Sequence, residues 1–526
     1  MTSADSKPTY SNPILNADWP DPDAIEVDGC YYLISSSFNR APGLPVLRSR
    51  NLVDWEHLGH ALKALPPVDH FSLVRHGSGV WAPALRHHDG RFWIFYPDPD
   101  HGIFVLHSEK AEGPWSEPHL LYPGRGIIDP CPLWDEDGKA YLVHGWAKSR
   151  IGLKNVLTVH RMSPDASRLL DSGTHVIKGE DFPGYTTIEG PKFYKRDGWY
   201  WIFAPAGGVA TGWQSVFRAR SPFGPYEARK VLEQGNSAVN GPHQGAWVTT
   251  PAGQDWFLHF QDRGPYGRVV HLQPMGWGDD GWPWMGAQFT DAPAGTPVLT
   301  HPYPRGTSPD SVHLPTSDDF REGSLGNQWH WQANPQADWL SLPGDGRAIL
   351  HCQPNDPGNL RELPNVLGQI LPGVPSVFST SIELGDVPAG TRAGVVVLGL
   401  EYAWLGLRRT PTGVQLSAGT GGSTPQEEQL GAPVDLQAGA IQFRVRTDAR
   451  HRAHFAWRPR GAGEWHEQDW EFTLAKGHWI GAELGIFATS PRGSSGTGDV
   501  IVGTVQLEAA RTAQEQSPEF AGSTPL

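Results

Sequence analysis

Three carboxylates, Asp21, Asp129 and Glu189, stand seven or eight residues ahead of turns of one type, Asp28-Gly29, Asp137-Gly138 and Asp197-Gly198. Aromatic and aliphatic runs follow the turns: Tyr31-Tyr32-Leu33-Ile34, Tyr141-Leu142-Val143 and Trp199-Tyr200-Trp201-Ile202-Phe203. Eight and nine residues ahead of two more turns, Asp89-Gly90 and Ala252-Gly253, stand Trp81 and His243. Acids at matched positions of a repeated unit converge on one point. A lone Asp near a turn ordinarily bonds its own backbone, and that reading stands for Asp135 and Asp137. The shared register sets Asp21, Asp129 and Glu189 apart. Asp23, two residues on, rivals Asp21 for the place at the axis.

Convergent acids suit glycoside hydrolysis, which needs one protonated carboxyl for the leaving oxygen and one ionised carboxylate. A base that activates water lies about 6.5–9.5 Å from the acid and inverts the anomer, whereas a direct nucleophile lies about 5–5.5 Å away. A third carboxylate raises the acid's pKa, since neighbouring like charges disfavour ionisation.

The element that must position these groups is an internal repeat. Five units, each a polar turn between aromatic strands, recur at intervals of roughly 50–60 residues, near the length of a four-stranded propeller blade. Asp-Gly between strand patterns marks a hairpin, because a type I′ turn needs positive φ at both central residues. Gly113-Pro114-Trp115 and Gly224-Pro225-Tyr226 echo one another later in their units. The expected fold is all-β: a five-bladed β-propeller over 1–305, then a β-sandwich over 306–510 and a disordered tail over 511–526. A β-sandwich with accidental hairpins is the bland alternative for the first part. The proline-rich stretch from Thr296 to Pro304 reads as a linker. Evenly spaced strands such as Ala393–Leu400, Ile441–Val445 and Ala453–Trp457 support the sandwich.

Composition agrees. Among 526 residues, 62 are Gly, 48 Pro and 23 Trp, with only 19% charged, which favours short strands and tight turns over helices. A net charge of -14 argues against nucleic acid or an anionic membrane as partner. Cys30, Cys131 and Cys352 fit neither a disulfide framework nor a zinc pattern and read as buried free thiols. Met1–Lys7 lacks the features of a signal peptide, and no run of about 18 apolar residues forms a membrane span. A cytoplasmic location is expected.

Most aromatic residues alternate within strands and belong to the core. Trp81 lies at the channel mouth and offers a plate on which a sugar face stacks; Phe38 lines the same pocket. His243 is either a hydrogen-bonded axial core residue or a ligand of an axial metal or water cluster.

These residues resemble glycoside hydrolase family 43, the five-bladed propeller β-xylosidases and α-L-arabinofuranosidases. Asn12-Pro13-Ile14-Leu15 with Pro20-Asp21-Pro22-Asp23 is similar to the family's opening motif, with Asp23 in place of Ser. Gly79-Val80-Trp81-Ala82-Pro83, Ile128-Asp129-Pro130 and Ile188-Glu189-Gly190-Pro191 resemble its next three signatures. The resemblance implies Asp21 as general base, Asp129 as pKa modulator and orienter, Glu189 as general acid, and inversion of the anomer. Gly241–Trp247 and Phe260–Gly264 look like the branch with an added concanavalin-like sandwich, in which an arginine contacts the sugar; Arg268 best matches it. The resemblance implies terminal β-D-xylose release from xylo-oligosaccharides or arabinoxylo-oligosaccharides, with α-L-arabinofuranosidase activity as the near alternative and an arabinanase as a further one. No cofactor is required, although some members hold an axial calcium ion near the histidine. Sandwich surfaces can pair subunits, so a homo-oligomer is compatible. A non-catalytic carbohydrate-binding propeller is the rival from another class, and it has no need of three convergent acids.

Overall fold

The computed structural model describes residues 8–509 apart from 290, 291, 293, 355–357, 424–427, 438, 492 and 494–497. The expected tail over 511–526 and the reading of Met1–Lys7 lie outside the described residues.

Five four-stranded antiparallel sheets follow one another, each with its strands in sequence order. Their first strands are Asp23–Val27, Ala84–His88, Ile127–Trp134, Lys192–Arg196 and His243–Thr249. The sequence repeats are therefore the blades. Period-two alternation explains how blades stack without helices. In the third blade Tyr141 and Val143 join the cluster shared with the fourth blade, while Ala140 and Leu142 join the one shared with the second. Each of the five blade junctions has its own apolar cluster.

Three turns take the expected type I′ form, with positive φ at Asp28-Gly29, Asp89-Gly90 and Asp197-Gly198. The third blade differs. Its loop is longer, Asp135 N–H bonds the Lys139 carbonyl at 2.8 Å, and only Gly138 is left-handed. The stretch near Thr300 is more than a linker. Thr300–Pro302 pairs with Thr9–Ser11, and Asn12 bonds Leu272 through both its side-chain carbonyl and its amide, each at 2.8 Å. The last strand of the fifth blade, Pro283–Met285, covers only one end of its neighbour. The chain start covers the other, through the Leu15–Val270 bridge. The Asn12–Leu15 motif is thus the clasp of the propeller.

The second half folds as the expected β-sandwich, with a nine-stranded and an eight-stranded sheet among the described residues over one large core. The predicted strands appear as Arg392–Leu398, Ile441–Thr447 and Arg452–Pro459. The sandwich packs along the propeller: Asn334 bonds both N–H and C=O of Leu65 at 2.7 and 2.9 Å, and Ala482 N–H bonds the Pro265 carbonyl at 2.6 Å. All three cysteines are free; Cys131 and Cys352 are buried, but Cys30, at a hairpin edge, is only half-buried. No helix among the described residues is long and apolar enough to cross a membrane.

Candidate active site

All five register positions, Asp21, Trp81, Asp129, Glu189 and His243, line one cavity of about 390 Å³, within the size range of small-ligand sites. Phe38 and Arg268 line it too. Asp21 and Asp129 both have left-handed backbone, φ 53° and 56°, which a non-glycine residue adopts at a cost and Asp tolerates better than most. At Asp129 the distortion is a break in register between Ile128 and Cys131, a device that re-aims a side chain.

Asp21 is 4% exposed. Its carboxylate accepts from Arg268 Nη1 at 2.8 and 3.0 Å and from Ser36 Oγ at 2.6 Å. Its rival Asp23 is fully buried away from the cavity. There it accepts from Leu85 N–H and Arg86 Nη1, each at 2.8 Å, and serves as a structural anchor between blades.

Asp129 Oδ2 accepts the N–H of Gly190 at 2.7 Å, which ties it to the residue after Glu189. Burial, then the charge of Glu189, push the Asp129 carboxyl up to about 8, against the opposing pull of Gly190 N–H. Burial would also raise Glu189. The hydrogen bond and charge of His243, with Arg268 and Lys154, outweigh it and hold Glu189 below its usual value. A third carboxylate is expected to raise the acid; here the raised carboxyl is Asp129, and Glu189 is held low. The physical reason is His243, whose Nε2 lies 2.8 Å from Glu189 Oε1.

His243 is therefore a hydrogen-bonded residue, and its partner is the acid. Its Nδ1 is buried with no hydrogen-bond partner. Among the described residues no group of three His, Cys, Asp or Glu could hold a metal.

Trp81 and Phe38 form the aromatic wall, edge to face at 6.1 Å. Trp81 is held by its Nε1–H on the Gly77 carbonyl at 3.1 Å and by the Arg150 guanidinium 5.3 Å from its ring. Arg268 lies 4.8 Å over Phe260, which also lines the cavity.

Sequence reasoning missed Trp479. It comes from the sandwich, lines the cavity and meets Trp81 edge to face at 6.0 Å. It is 40% exposed and left-handed, φ 69°. The one signal was local: His478-Trp479 stands between glycines in Gly477-His478-Trp479-Ile480-Gly481. Nothing local placed it at the propeller mouth.

Comparison with known proteins agrees with this geometry. Residues 10–283 match the model of glycosyl hydrolases family 43. Residues 317–501 match that of the beta xylosidase C-terminal concanavalin A-like domain. A putative beta-xylosidase of Xylanibacter ruminicola is 35% identical over 486 residues, 91% of this chain and 86% of its own length. A beta-xylosidase of Formosa agariphila is 30% identical over 96% of this chain and 92% of its own. In fold, the solved xylan beta-1,4-xylosidase of Bacillus halodurans C-125 matches with a TM-score of 0.84 at 22% identity, covering 95% of this chain and 99% of that one. On its acids, its two domains and these matches, the chain belongs to glycoside hydrolase family 43.

Proposed function

We propose that this glycoside hydrolase releases terminal β-D-xylose from xylo-oligosaccharides with inversion, Asp21 acting as base and Glu189 as acid. The observation that carries the reading is the convergence of Asp21, Asp129 and Glu189 in a single cavity rimmed by Trp81 and Trp479. A rim built from both domains favours a chain end over the middle of a polymer. The names of the Xylanibacter and Formosa relatives support xylose as the sugar.

Asp21 takes a proton from water as that water attacks the anomeric carbon; Arg268 and Ser36 aim the carboxylate. The leaving oxygen takes its proton from Glu189. In the free protein Asp129 is the carboxyl held high and Glu189 the one held low. A bound sugar expels water from around Glu189, which raises the cost of its charge. The proton then passes to Glu189, and the Gly190 N–H stabilises the Asp129 carboxylate left behind. Asp129 thus orients the acid. The two carboxyls titrate as a pair.

A second reading, α-L-arabinofuranosidase, rests on a 30% identical relative over 64% of this chain, the non-reducing end α-L-arabinofuranosidase of Bacteroides ovatus. Side-by-side hydrolysis of p-nitrophenyl β-D-xyloside and α-L-arabinofuranoside, with Asp21→Ala as control, decides between them. Xyloside turnover lost in the variant supports the first reading. Turnover of the arabinofuranoside alone moves the specificity. Turnover of neither, with both proteins folded, overturns both.

A further inference from the structure

We infer that Glu483, on the sandwich, positions the base Asp21 through a buried chain of charges, Glu483–Arg40–Asp18–Arg268. The inference rests on the role of Asp21 proposed above. Arg40 Nε donates to Glu483 Oε1 at 2.5 Å and its Nη2 donates to Asp18 Oδ2 at 2.9 Å. The other oxygen of Asp18 accepts the backbone N–H of Arg268 at 2.9 Å. Arg268 then closes on Asp21 with its guanidinium. Arg40, Asp18 and Glu483 are 6%, 2% and 5% exposed.

Several features argue that this chain positions the base and is more than interface glue. It ends on a carboxylate that faces the cavity. Asp18 grips the main chain of Arg268 rather than a loose side chain, and Trp19 N–H bonds the Arg268 carbonyl at 3.0 Å. The approach is so close that a Cβ on Gly267 would fall 2.1 Å from Asp18 Oδ1. That leaves glycine as the residue that fits, at a φ of 73° where side chains are strained in any case. From the other side the sandwich presses on the same turn. Ala482 N–H bonds Pro265, and a Cβ on Gly481 would lie 2.9 Å from Gly267 N. The segment from Trp479 to Glu483 therefore both rims the cavity and braces the turn that carries Arg268.

The charges match this role. Arg40 stands between two carboxylates, and Glu483 also meets His330 Nε2 at 2.9 Å. Breaking one member leaves a buried charge without its partner, which is far costlier than losing a surface pair. The neighbours then shift toward new partners. A shift of about 1 Å at a catalytic group costs on the order of 100-fold in rate.

The test compares the full-length protein with Glu483→Gln, Asp18→Asn and, as an interface control, Asn334→Ala. Asn334 ties the sandwich to Leu65 and has no part in the chain. Kinetics on p-nitrophenyl β-D-xyloside are measured across pH 4 to 9, with melting temperatures alongside. Both chain variants are expected to lose about 10–100-fold in kcat with KM changed less than about threefold. Their acid limb moves to higher pH, because a base whose guanidinium partner drifts takes up its proton more readily. Asn334→Ala lowers the melting temperature and leaves the pH profile in place. Chain variants that melt lower but keep the wild-type profile and kcat would overturn the inference and leave a plain interface network. Should Glu483→Gln fail to fold, Asp18→Asn, which lies within the propeller, decides by the same readouts. A wild-type protein inactive on the glycoside would instead fault the reading of Asp21 itself.

Discussion

His243 of the fifth blade meets Glu189 of the fourth, ring Nε2 to carboxylate Oε1, at 2.8 Å. This contact sets the acid's readiness. The other ring nitrogen, Nδ1, is buried and without a hydrogen-bond partner. Replacing His243 by Phe removes the hydrogen bond that holds Glu189 low. Glu189 then keeps its proton to higher pH, so the alkaline limb of the kcat profile moves up. Turnover at neutral pH falls at least ~10-fold as the acid loses its alignment. A pH–rate series on a xyloside checks both; an unmoved limb would count against the contact.

Glu189→Gln removes the proton donor with little change of shape. On xylobiose the rate should fall ~10²–10⁴-fold. On p-nitrophenyl xyloside, whose leaving group needs less protonation, the loss should be clearly smaller. Equal losses on the two substrates would exclude the acid role.

The raised carboxyl of Asp129 costs stability at high pH. Its carboxyl is raised to about 8 in the fold, against about 3.9 in an unfolded chain. Between those values the native state binds more protons than the unfolded one, so this group's contribution to stability falls as pH rises from about 4 to about 8. Asp129→Asn abolishes that loss. The variant should be nearly inactive, yet gain melting temperature relative to wild type at pH 8, with a smaller gain at pH 4.5. Calorimetry at the two pH values tests it.

Glu483 works in the opposite sense. Burial would raise it, but His330 and Arg40 hold it at about 2, below the ordinary Glu value of about 4.3. The depressed pKa contributes stability above about pH 4.3 that is lost as pH falls toward 2. Glu483→Gln should flatten the acid side of the melting-temperature curve. A curve that still drops as steeply would place the acid-labile group elsewhere.

Trp479 tests the joint rim. Trp479→Ala should raise KM for xylo-oligosaccharides about 5–30-fold, the equivalent of about 1–2 kcal/mol of lost aromatic contact, with little change in melting temperature. Steady-state kinetics decide; an unchanged KM would remove the sandwich from the binding site.

The sequence by itself determined the blades and the acids. Both rest on local physics. Asp-Gly turns impose hairpins, and strand alternation sends Tyr141 one way and Leu142 the other. A repeated register then carries Asp21, Asp129 and Glu189 to one cavity, with Trp81 and His243 beside them. What holds Asp23 away from the cavity shows only in the tertiary structure, because Arg86 and the Leu85 N–H that claim it come from another blade. The same holds for the third turn, whose extra length shows only in its register, and for the segment near Thr300, which becomes a strand only when Thr9–Ser11 lies beside it. Arg268 reaches Asp21 across 247 residues of chain. Trp479 reaches the cavity from a different domain. Neither distance leaves a periodic trace in a sequence. Which carboxyl is raised and which is held low likewise follows from the tertiary structure, from how deeply Asp129 and Glu189 are buried and from His243 lying against only one of them.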